Sequence, residues 1–594
     1  MLVILLAIAV QVWFALKWAG SFDSDEAIIG LMSRHMLEGH IPVYFYGQHY
    51  LGSLDALLAA PFLHVFGSSV LTLRISSILL FGLFLIFHAI LVTRLWDKPT
   101  ALISLLLIAL PSWRIMWFSH RPNIALGLTF LLGTLAFLLA LYIIQRDRHR
   151  LALLSVLGCV LGLGVWVHPI TLIYSAVLLL LGILSLPEWA NIYQHWQNWS
   201  QKRHIWCNGY LPTIGAMALL LLLIVVFFID GCQHWPLLEP LQLSATAIVL
   251  GFIAVVGALV WRVSQRRSIL LTGSTYLAIG AIIGNTPQWS AWLVQGAAPS
   301  SAVIPSCPTN IPARVGMLLD LLIPQLWGLP TLRSLIDIWS IQSMLSVLAL
   351  LLMLSALCFV IWHERAAFQR LLTLRPLMST DYRTVMVLLL FGIPLLIATL
   401  SGNIINGQSV RHIFITWQAS VIILAVFLVH IMSRIRWLGI SCIAFWSLWI
   451  GLNNVIYLSK LWEERSHRYA PESVAALEDF LGQRQTQGAY ADYWMAYALT
   501  FVTEERLTVA PYNGIDRYPA YTALVQDQTT RAYLFWEGQD STCSSEIDRL
   551  KNALEHNGEA GAAHQHITVQ LTQGTILECQ RVAGWNVWIV SQPD

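Results

Sequence analysis

The sequence predicts a polytopic α-helical membrane protein, with about 13 transmembrane helices and a C-terminal exterior α/β domain. Three observations predict this fold class. Hydrophobic residues make up 57% of the 594 residues, the mean hydropathy is +0.66, and only 11% of residues are charged, which is far from the composition of soluble domains. Apolar runs of about 20 residues, long enough to cross a hydrocarbon core, recur up to about residue 460. No such run follows residue 458, where Glu, Gln and Asp become frequent.

The predicted spans are apolar runs separated by polar or basic connections. They cover 2–19, 70–93, 101–118, 124–144, 151–168, 170–186, 209–229, 244–261, 268–285, 342–362, 385–401, 412–432 and 437–458. The first run has no basic residues before it, and Lys17-Trp18-Ala19-Gly20 is a poor signal-peptidase site. We therefore predict that it is a span and not a cleaved signal.

The basic residues indicate the orientation of the chain. If the N-terminus is cytoplasmic, the inner connections hold about twice as many Arg and Lys residues as the outer ones, as the positive-inside rule requires. Trp residues flank many of the spans, as interfacial anchors do. We predict a multi-pass protein of the cell (inner) membrane, with its C-terminal domain periplasmic or extracellular.

The composition changes near residue 459, which predicts two domains: a membrane domain at 1–458 and an exterior domain at 459–594. The tail is long enough to build a core of its own. Helical and β-rich patterns alternate in it, with helices predicted at Pro471–Gly482 and Ser544–Asn557 and strands at Arg531–Trp536, His566–Leu571 and Asn586–Ser591.

Charge and cysteine content exclude some classes of site. The net charge of +2 gives no indication of nucleic-acid binding, and the eight Cys residues show no metal-ligand spacing. Four of them fall on the predicted exterior side, where disulfides form. Cys543–Cys579 and Cys232–Cys307 are therefore possible disulfides, and free thiols are the alternative.

An acidic cluster follows the first apolar run. Ser21-Phe22-Asp23-Ser24-Asp25-Glu26 places three carboxylates within four positions, and carboxylates at a membrane face are costly to desolvate. Asp23 with Glu26 also has the spacing of a helix capping box, which would only satisfy backbone donors. Asp25 has no such local structural role and is the stronger candidate for chemistry.

Long outer connections at 20–69 and 286–341, and a short one at 402–411, are candidates for the substrate-binding side. In the third, Arg411 stands where the pattern predicts that a transmembrane helix begins. Free N–H groups beside an Arg favour an anion, particularly phosphate. The alternative is that Arg411 only extends its charge to the membrane interface.

Several of these stretches resemble C-type glycosyltransferases, in the family-39-like branch of protein O-mannosyltransferases and the lipid A aminoarabinose transferase. The resemblance rests on Asp25-Glu26 after the first span, on the Tyr44–Asp55 stretch, on Arg411-His412-Ile413 and on the thirteen-span layout. In the tail, Tyr490–Tyr497 and Arg517–Tyr521 also look like that branch, although the aromatic residues around 490–497 are equally typical of a domain core.

The resemblance implies an inverting transfer of a sugar from a polyprenyl-phosphate donor to an acceptor hydroxyl of a glycolipid, glycan or protein on the outer face. It implies catalytic roles for Asp25 and Glu26. We expect donor-phosphate binding by Arg411, Arg314 and Arg121, and substrate contacts by Gln48, His49, Asp55 and His168. Gln48, His49 and Asp55 could instead serve only a chain turn, and His168-Pro169 is also typical of a helix end.

No cofactor is expected. Many members of this fold carry an acidic residue at the start of the fourth span, whereas Ser119-His120-Arg121-Pro122-Asn123 holds none here. We therefore predict independence of divalent metal.

Two other function classes remain open. A transporter or flippase for lipid-linked sugars would also need outer charges, but neither inverted repeats nor charged residues concentrated at mid-membrane are visible. A non-enzymatic anchor would not need so many spans. Within the enzymes, a lipid-linked oligosaccharide ligase or polymerase is a near alternative. Spacing alone does not identify the sugar, the acceptor or the carrier length.

Overall fold

A computed structural model describes residues 1–18, 21–122, 126–145, 149–185, 189–190, 193–194, 267–295, 310–332, 340–400, 404, 406–465, 468–512, 515–536 and 575–591. The fold is mostly helical. The helices up to residue 295 are α1 Leu2–Lys17, α2 Ser24–Leu37, α3 Leu54–Phe66, α4 Val70–Leu95, α5 Lys98–Ala109, α6 Trp113–Ser119, α7 Leu126–Gln145, α8 Arg150–Val167, α9 Leu172–Leu184, α10 Arg267–Gly284 and α11 Thr286–Gln295.

The later helices are α12 Ile311–Met317, α13 Ile323–Leu326, α14 Ile341–His363, α15 Arg365–Leu372, α16 Tyr382–Leu400, α17 Phe414–Arg434, α18 Arg436–Arg465, α19 Pro471–Gly482, α20 Tyr493–Val502 and α21 Pro519–Gln526. Short 3₁₀ helices cover Pro169–Thr171 and Gly407–Ile413. The strands are β1 Tyr44–Phe45, β2 Gln48–Gly52, β3 Gly488–Ala491, β4 Thr508–Pro511, β5 Thr530–Trp536, β6 Thr575–Val582 and β7 Trp585–Ser591.

Within the described residues, 7 helices are long and apolar enough to cross a membrane, or up to 8 if one bent pair counts as a span. They cover Val70–Leu95, Leu126–Gln145, Arg150–Val167, Ile341–His363, Tyr382–Leu400, Gly407–Arg434 and Arg436–Tyr457. The predicted spans at 2–19, 170–186 and 268–285 correspond to shorter apolar helices. Those at 209–229 and 244–261 lie outside the described residues, so the count of thirteen stays a prediction.

The predicted span 101–118 is broken. Helices α5 and α6 meet at an angle of 84°, and Leu110 leaves the helical region with φ −121° and ψ 77°. Pro111 explains the break, because proline disfavours helical conformation in the residue before it and donates no backbone hydrogen bond. The carbonyl of Pro111 accepts instead from the Asn454 side chain at 2.9 Å.

Helices α8 and α10 pack with their backbones almost in contact. A Cβ atom added at Gly158 or Gly162 would lie 2.0 or 2.2 Å from a carbonyl oxygen of α10. One added at Gly280 or Gly284 would lie 1.9 or 2.1 Å from a carbonyl oxygen of α8. Each helix therefore carries a small-residue pair four positions apart, the pattern that allows close packing between membrane helices.

The chain divides into two compact units. One holds Met1–Val10, Leu80–Trp117 and Leu126–Val455, and the other holds Gln11–Leu79, Phe118–Ala125 and Ile456–Asp594. We call them the helical unit and the sheet unit. The sheet unit therefore includes the segment after the first apolar helix as well as the tail. The prediction that 1–458 and 459–594 form separate domains stays a prediction.

The sheet unit contains a five-stranded sheet with the order β4-β3-β5-β7-β6. Strand β3 is parallel to β4 and β5, whereas β7 is antiparallel to β5 and β6. The predicted helix Pro471–Gly482 and the strand stretches Arg531–Trp536 and Asn586–Ser591 lie within observed helices and strands. Ser544–Asn557 and His566–Leu571 lie outside the described residues. Cys579 is disulfide-bonded, and its predicted partner Cys543 also lies outside them, as do Cys232 and Cys307.

Helix α20 connects the sheet to α2 within the sheet unit. One face of α20 contributes Met495 and Leu499 to the core under the sheet, and another contributes Tyr497 and Phe501 to a core shared with α2 and α3. The contact with α2 is close, because a Cβ atom on Gly30 would lie only 2.4 Å from the Phe501 ring. Close packing of α20 on α2 positions the residues described next.

Candidate active site

The acidic cluster forms the start of α2. Asp23 is the N-cap, with extended φ and ψ, and its side chain accepts a hydrogen bond from the Glu26 backbone N–H at 3.2 Å. This satisfies one of the free donors at the helix start. The Glu26 carboxylate binds two arginines elsewhere in the chain. Of the possible capping box, the structure therefore shows the bond from Glu26 N–H to the Asp23 side chain, while the Glu26 side chain pairs with the arginines.

Glu26 lies in a buried ion cluster. Its carboxylate accepts from Arg74 Nε at 2.7 Å and Nη2 at 2.9 Å, and from Arg121 Nε at 2.8 Å. Arg121 also pairs with Asp23 at 2.6 Å. Arg74 further donates to the carbonyls of Ala15 and Trp18 at the end of α1. The cluster therefore ties α1, α2, α4 and the Arg121 segment together.

This environment favours a structural role for Glu26 and Arg121. The side chains of Glu26, Arg74 and Arg121 have no exposed surface. Burial acts to raise the pKa of Glu26, but the guanidinium groups of Arg74 and Arg121 outweigh it and hold the pKa at about 2. A buried carboxylate held by two cations is poorly placed to accept a proton. The expected catalytic role of Glu26 and the phosphate-binding role of Arg121 thus gain no support from their positions.

Asp25 lies between Asp23 and Glu26 in the sequence, and its side chain is partly exposed. The hydroxyl of Tyr493, at the start of α20, donates a hydrogen bond to Asp25 Oδ1. Arg517 Nε contacts the same tyrosine oxygen at 3.4 Å, and the Arg517 charge also acts on Asp25. Burial and the nearby Asp25 charge both raise the pKa of Tyr493, which keeps it a proton donor.

Gln48 and the β1–β2 hairpin contact Arg517. With its amide oxygen turned toward the guanidinium, Gln48 accepts from Arg517 Nη1 at 3.2 Å and Nη2 at 2.6 Å. Arg517 Nη1 also donates to the Gly47 carbonyl at 3.3 Å. Gly47 has φ +67°, and a Cβ atom there would lie 2.9 Å from the Arg517 Cα. The glycine therefore allows both the turn and the close approach.

His49 belongs to this hairpin and Asp55 lies on the helix that follows it, and neither bonds Arg517 within the described residues. The His49 ring packs edge-on against Tyr44 at 5.5 Å, and its buried Nδ1 makes no hydrogen bond within the described residues. Asp55 is on the first turn of α3, and burial raises its pKa to about 7. Their predicted role as substrate contacts stays a prediction.

The remaining predicted residues belong to the helical unit. Arg411 is exposed and lies within the 3₁₀ helix Gly407–Ile413, whose N-cap is Asn406. The helical segment thus begins four residues before Arg411, contrary to the expectation that Arg411 opens it. The Arg411 charge acts on both His168 and His412, so these three side chains form one electrostatic cluster.

His168 and Arg314 occupy helix ends. His168 is the C-cap of α8, and its Nδ1 accepts from the Ile170 N–H at 3.1 Å, which starts the 3₁₀ helix at Pro169. Arg314 is buried, and its Nη1 donates to the Thr399 and Leu400 carbonyls at 3.3 and 3.4 Å, at the end of α16. A cation stabilises the negative end of a helix, so Arg314 acts as a cap here, and its predicted phosphate-binding role stays a prediction.

Three residues that contact or adjoin predicted site residues were not singled out from the sequence. Tyr493 bonds Asp25, and the Arg517 charge acts on it. The only indication of this in the sequence was that both residues lie in tail stretches that resemble the family. Arg114 in the helical unit bonds Gln325 at 3.2 Å and stacks on Trp113 at 4.0 Å. A Cβ atom on Gly407 would lie 3.7 Å from Arg114 Nη2, so Arg114 adjoins the turn before Arg411.

The part of the chain that the structure describes holds no group of three or more His, Cys, Asp or Glu residues able to bind a metal ion. Metal independence stays a prediction.

Comparison with solved structures finds similarity over nearly the whole chain. The oligosaccharyltransferase AglB from Archaeoglobus fulgidus, in complex with an inhibitory peptide and a dolichol-phosphate, matches 94% of this chain and 72% of its own, with 12% identity and a TM-score of 0.45. ArnT from Cupriavidus metallidurans bound to undecaprenyl phosphate matches 98% and 97%, with 13% identity and a TM-score of 0.34. No protein-family model and no curated protein sequence matches the chain.

Proposed function

We propose that this protein is a membrane glycosyltransferase that moves a sugar from a polyprenyl-phosphate donor to an acceptor hydroxyl, with inversion. The observation that carries the proposal is Asp25. It is a partly exposed carboxylate on the first turn of α2, next to a neighbour of the same charge that is buried and neutralised by two arginines. A carboxylate that solvent and substrate can reach suits a general base.

In the proposed reaction, Asp25 accepts the proton of the acceptor hydroxyl. The acceptor oxygen forms a bond to the anomeric carbon from the face opposite the leaving group. The bond from that carbon to the phosphate oxygen breaks, which leaves a polyprenyl phosphate and an inverted glycoside. The negative charge that develops on the phosphate requires cationic or N–H donors.

We propose that this reaction takes place on the outer face of the membrane, with the N-terminus cytoplasmic and residues 459–594 outside. The support is the distribution of basic residues. A reporter enzyme fused after Ser591 is expected to be active only if it is one that works in the exterior compartment. Activity of a cytoplasmic reporter at the same position would contradict this orientation and the side assigned to Asp25.

Arg411 is proposed to bind the donor phosphate. Arg411→Ala is expected to raise the donor concentration needed for half-maximal transfer, and Arg411→Lys to retain part of the affinity, because Lys keeps the charge but loses the bidentate fork. Transfer is titrated against the native polyprenyl-phosphate-sugar fraction. Arg434, exposed at the other end of α17, provides the matched control as Arg434→Ala. If the wild type and all three variants needed the same donor concentration, Arg411 would be only an interfacial anchor.

Mass spectrometry of envelope glycolipids and glycoproteins, with and without the protein, tests the function and identifies the acceptor. A single sugar missing from one defined acceptor is expected when the protein is absent. A missing repeat or whole oligosaccharide would instead indicate the alternative ligase or polymerase. Unchanged acceptors with the donor confined to one leaflet would indicate a flippase.

A further inference from the structure

One hydrogen bond to Asp25 comes from a distant part of the chain. The Tyr493 hydroxyl that donates to Asp25 lies 468 residues further on, and Tyr493 is almost fully buried. Arg517, in the connection between β4 and α21, contacts the tyrosine oxygen and adds its charge. Both residues and Asp25 belong to the sheet unit.

We propose that Tyr493 and Arg517 are positioning residues that hold the Asp25 carboxylate ionised and fixed in one orientation. The inference rests on the proposed function, in which Asp25 is the base. The hydrogen bond to Oδ1 restricts rotation of the carboxylate, and a donor together with a nearby cation stabilises its charged form. The tail thereby becomes part of the catalytic machinery.

Arg517 is itself held from two sides. The hairpin supports its guanidinium through Gln48 and the Gly47 carbonyl. Tyr497, one turn after Tyr493, supports its backbone: the Tyr497 oxygen accepts from the Arg517 N–H at 2.7 Å and from the Tyr518 N–H at 2.9 Å. This gives Gln48 a role in placing Arg517, where the sequence suggested a substrate contact.

The charged groups around Asp25 come from several elements. Helix α20 contributes Tyr493, and the connection before α21 contributes Arg517, on which Tyr50 of the hairpin also acts. On α2 itself, Asp23 and Glu26 are neutralised by Arg121 and Arg74. Removing the Tyr493 hydroxyl therefore removes a donor that stabilises the ionised Asp25, and leaves the ion cluster intact.

The test measures the ionisation of Asp25 without requiring activity. Full-length protein in detergent is treated across a pH series with a water-soluble carbodiimide and an amine, which label protonated carboxyl groups. The tryptic peptide Trp18–Arg34 reports Asp23, Asp25 and Glu26 separately by fragmentation. In Tyr493→Phe and in Arg517→Gln, the midpoint for Asp25 labelling is expected to move upward by about one pH unit. In Tyr533→Phe, which removes a buried hydroxyl from the sheet, it is expected to stay.

Transfer in cells complemented with Tyr493→Phe is expected to fall about ten- to hundredfold, the effect of losing one hydrogen bond to a charged group. An unchanged labelling midpoint in both variants overturns the inference. If Asp25→Asn abolishes transfer while Tyr493→Phe changes neither midpoint nor transfer, only the inference fails. If the wild-type protein transfers no sugar, the proposed function fails, and the labelling midpoints still decide whether Tyr493 and Arg517 control Asp25.

Discussion

Asp25→Asn is expected to lower the rate of sugar transfer by about 10²–10⁴-fold, the usual effect of removing a general base. Asn has the same size, and its carbonyl oxygen can still accept from Tyr493, but it cannot take the acceptor's proton. Folding is expected to change little, because Asp25 is partly exposed and the N-cap of α2 is Asp23. Transfer and thermal unfolding are measured on the same purified preparations.

Asp479→Asn is the matched control for that variant, since Asp479 is an exposed carboxylate on α19. Its transfer rate is expected to equal that of the wild type. Near-wild-type transfer by Asp25→Asn would mean that another group is the base. Asp23 would then be the next candidate, because it retains some exposure, with 14% of its side chain accessible, whereas Glu26 has none.

Glu26→Gln is expected to lower the free energy of unfolding by about 3–5 kcal/mol, the cost of leaving a buried charge without its partner. The Gln amide oxygen could still accept a hydrogen bond, but it carries no charge to offset the two guanidinium groups. Arg74 would keep the Ala15 and Trp18 carbonyls, which are neutral acceptors, and Arg121 would keep its pairing with Asp23. Denaturant unfolding of purified protein, followed by the fluorescence of the many Trp residues, measures the loss.

Glu478→Gln makes the same substitution in an exposed pair. Glu478 binds Arg506 at 2.9 Å, and Arg506 is 60% exposed, so a loss of about 0–1 kcal/mol is expected. The Glu26 pKa is lowered from 4.5 to about 2 in the folded protein. Its contribution is therefore fully present above about pH 4.5 and is lost as the pH falls toward 2. If both variants lost the same free energy of unfolding, the buried cluster would contribute no more to stability than an exposed ion pair.

The sequence predicted those features that depend on residues close together in the chain, such as a helix cap and the apolar helices. Asp23 was recognisable as a helix cap because its side chain bonds three residues onward. Apolar runs located the 7 described helices that are long and apolar enough to cross a membrane, since length and composition suffice for that. The break between α5 and α6 was readable from Pro111 in principle, but the continuous apolar run around it concealed the effect of one residue.

Distant pairings were not predictable from spacing. Glu26 finds its partners 48 and 95 residues away, so the capping-box pattern could not distinguish a cap from a buried ion pair. The same holds for Tyr493 and Asp25, whose hydrogen bond depends on the packing of α20 against α2 at Gly30. The capping contact of Arg314 was not predictable either, because the carbonyls that it caps belong to a helix end 85 residues away.

The most direct measurement of the central claim follows the donor and the acceptor together. Wild-type protein and Asp25→Asn are reconstituted in lipid vesicles with the native polyprenyl-phosphate-sugar fraction and envelope acceptors, and free polyprenyl phosphate and glycosylated acceptor are counted by mass spectrometry. The account predicts one free polyprenyl phosphate for each sugar transferred by the wild type, and almost none of either product with Asp25→Asn. Intact donor that crosses the bilayer without release of polyprenyl phosphate, equally in both proteins, would contradict it.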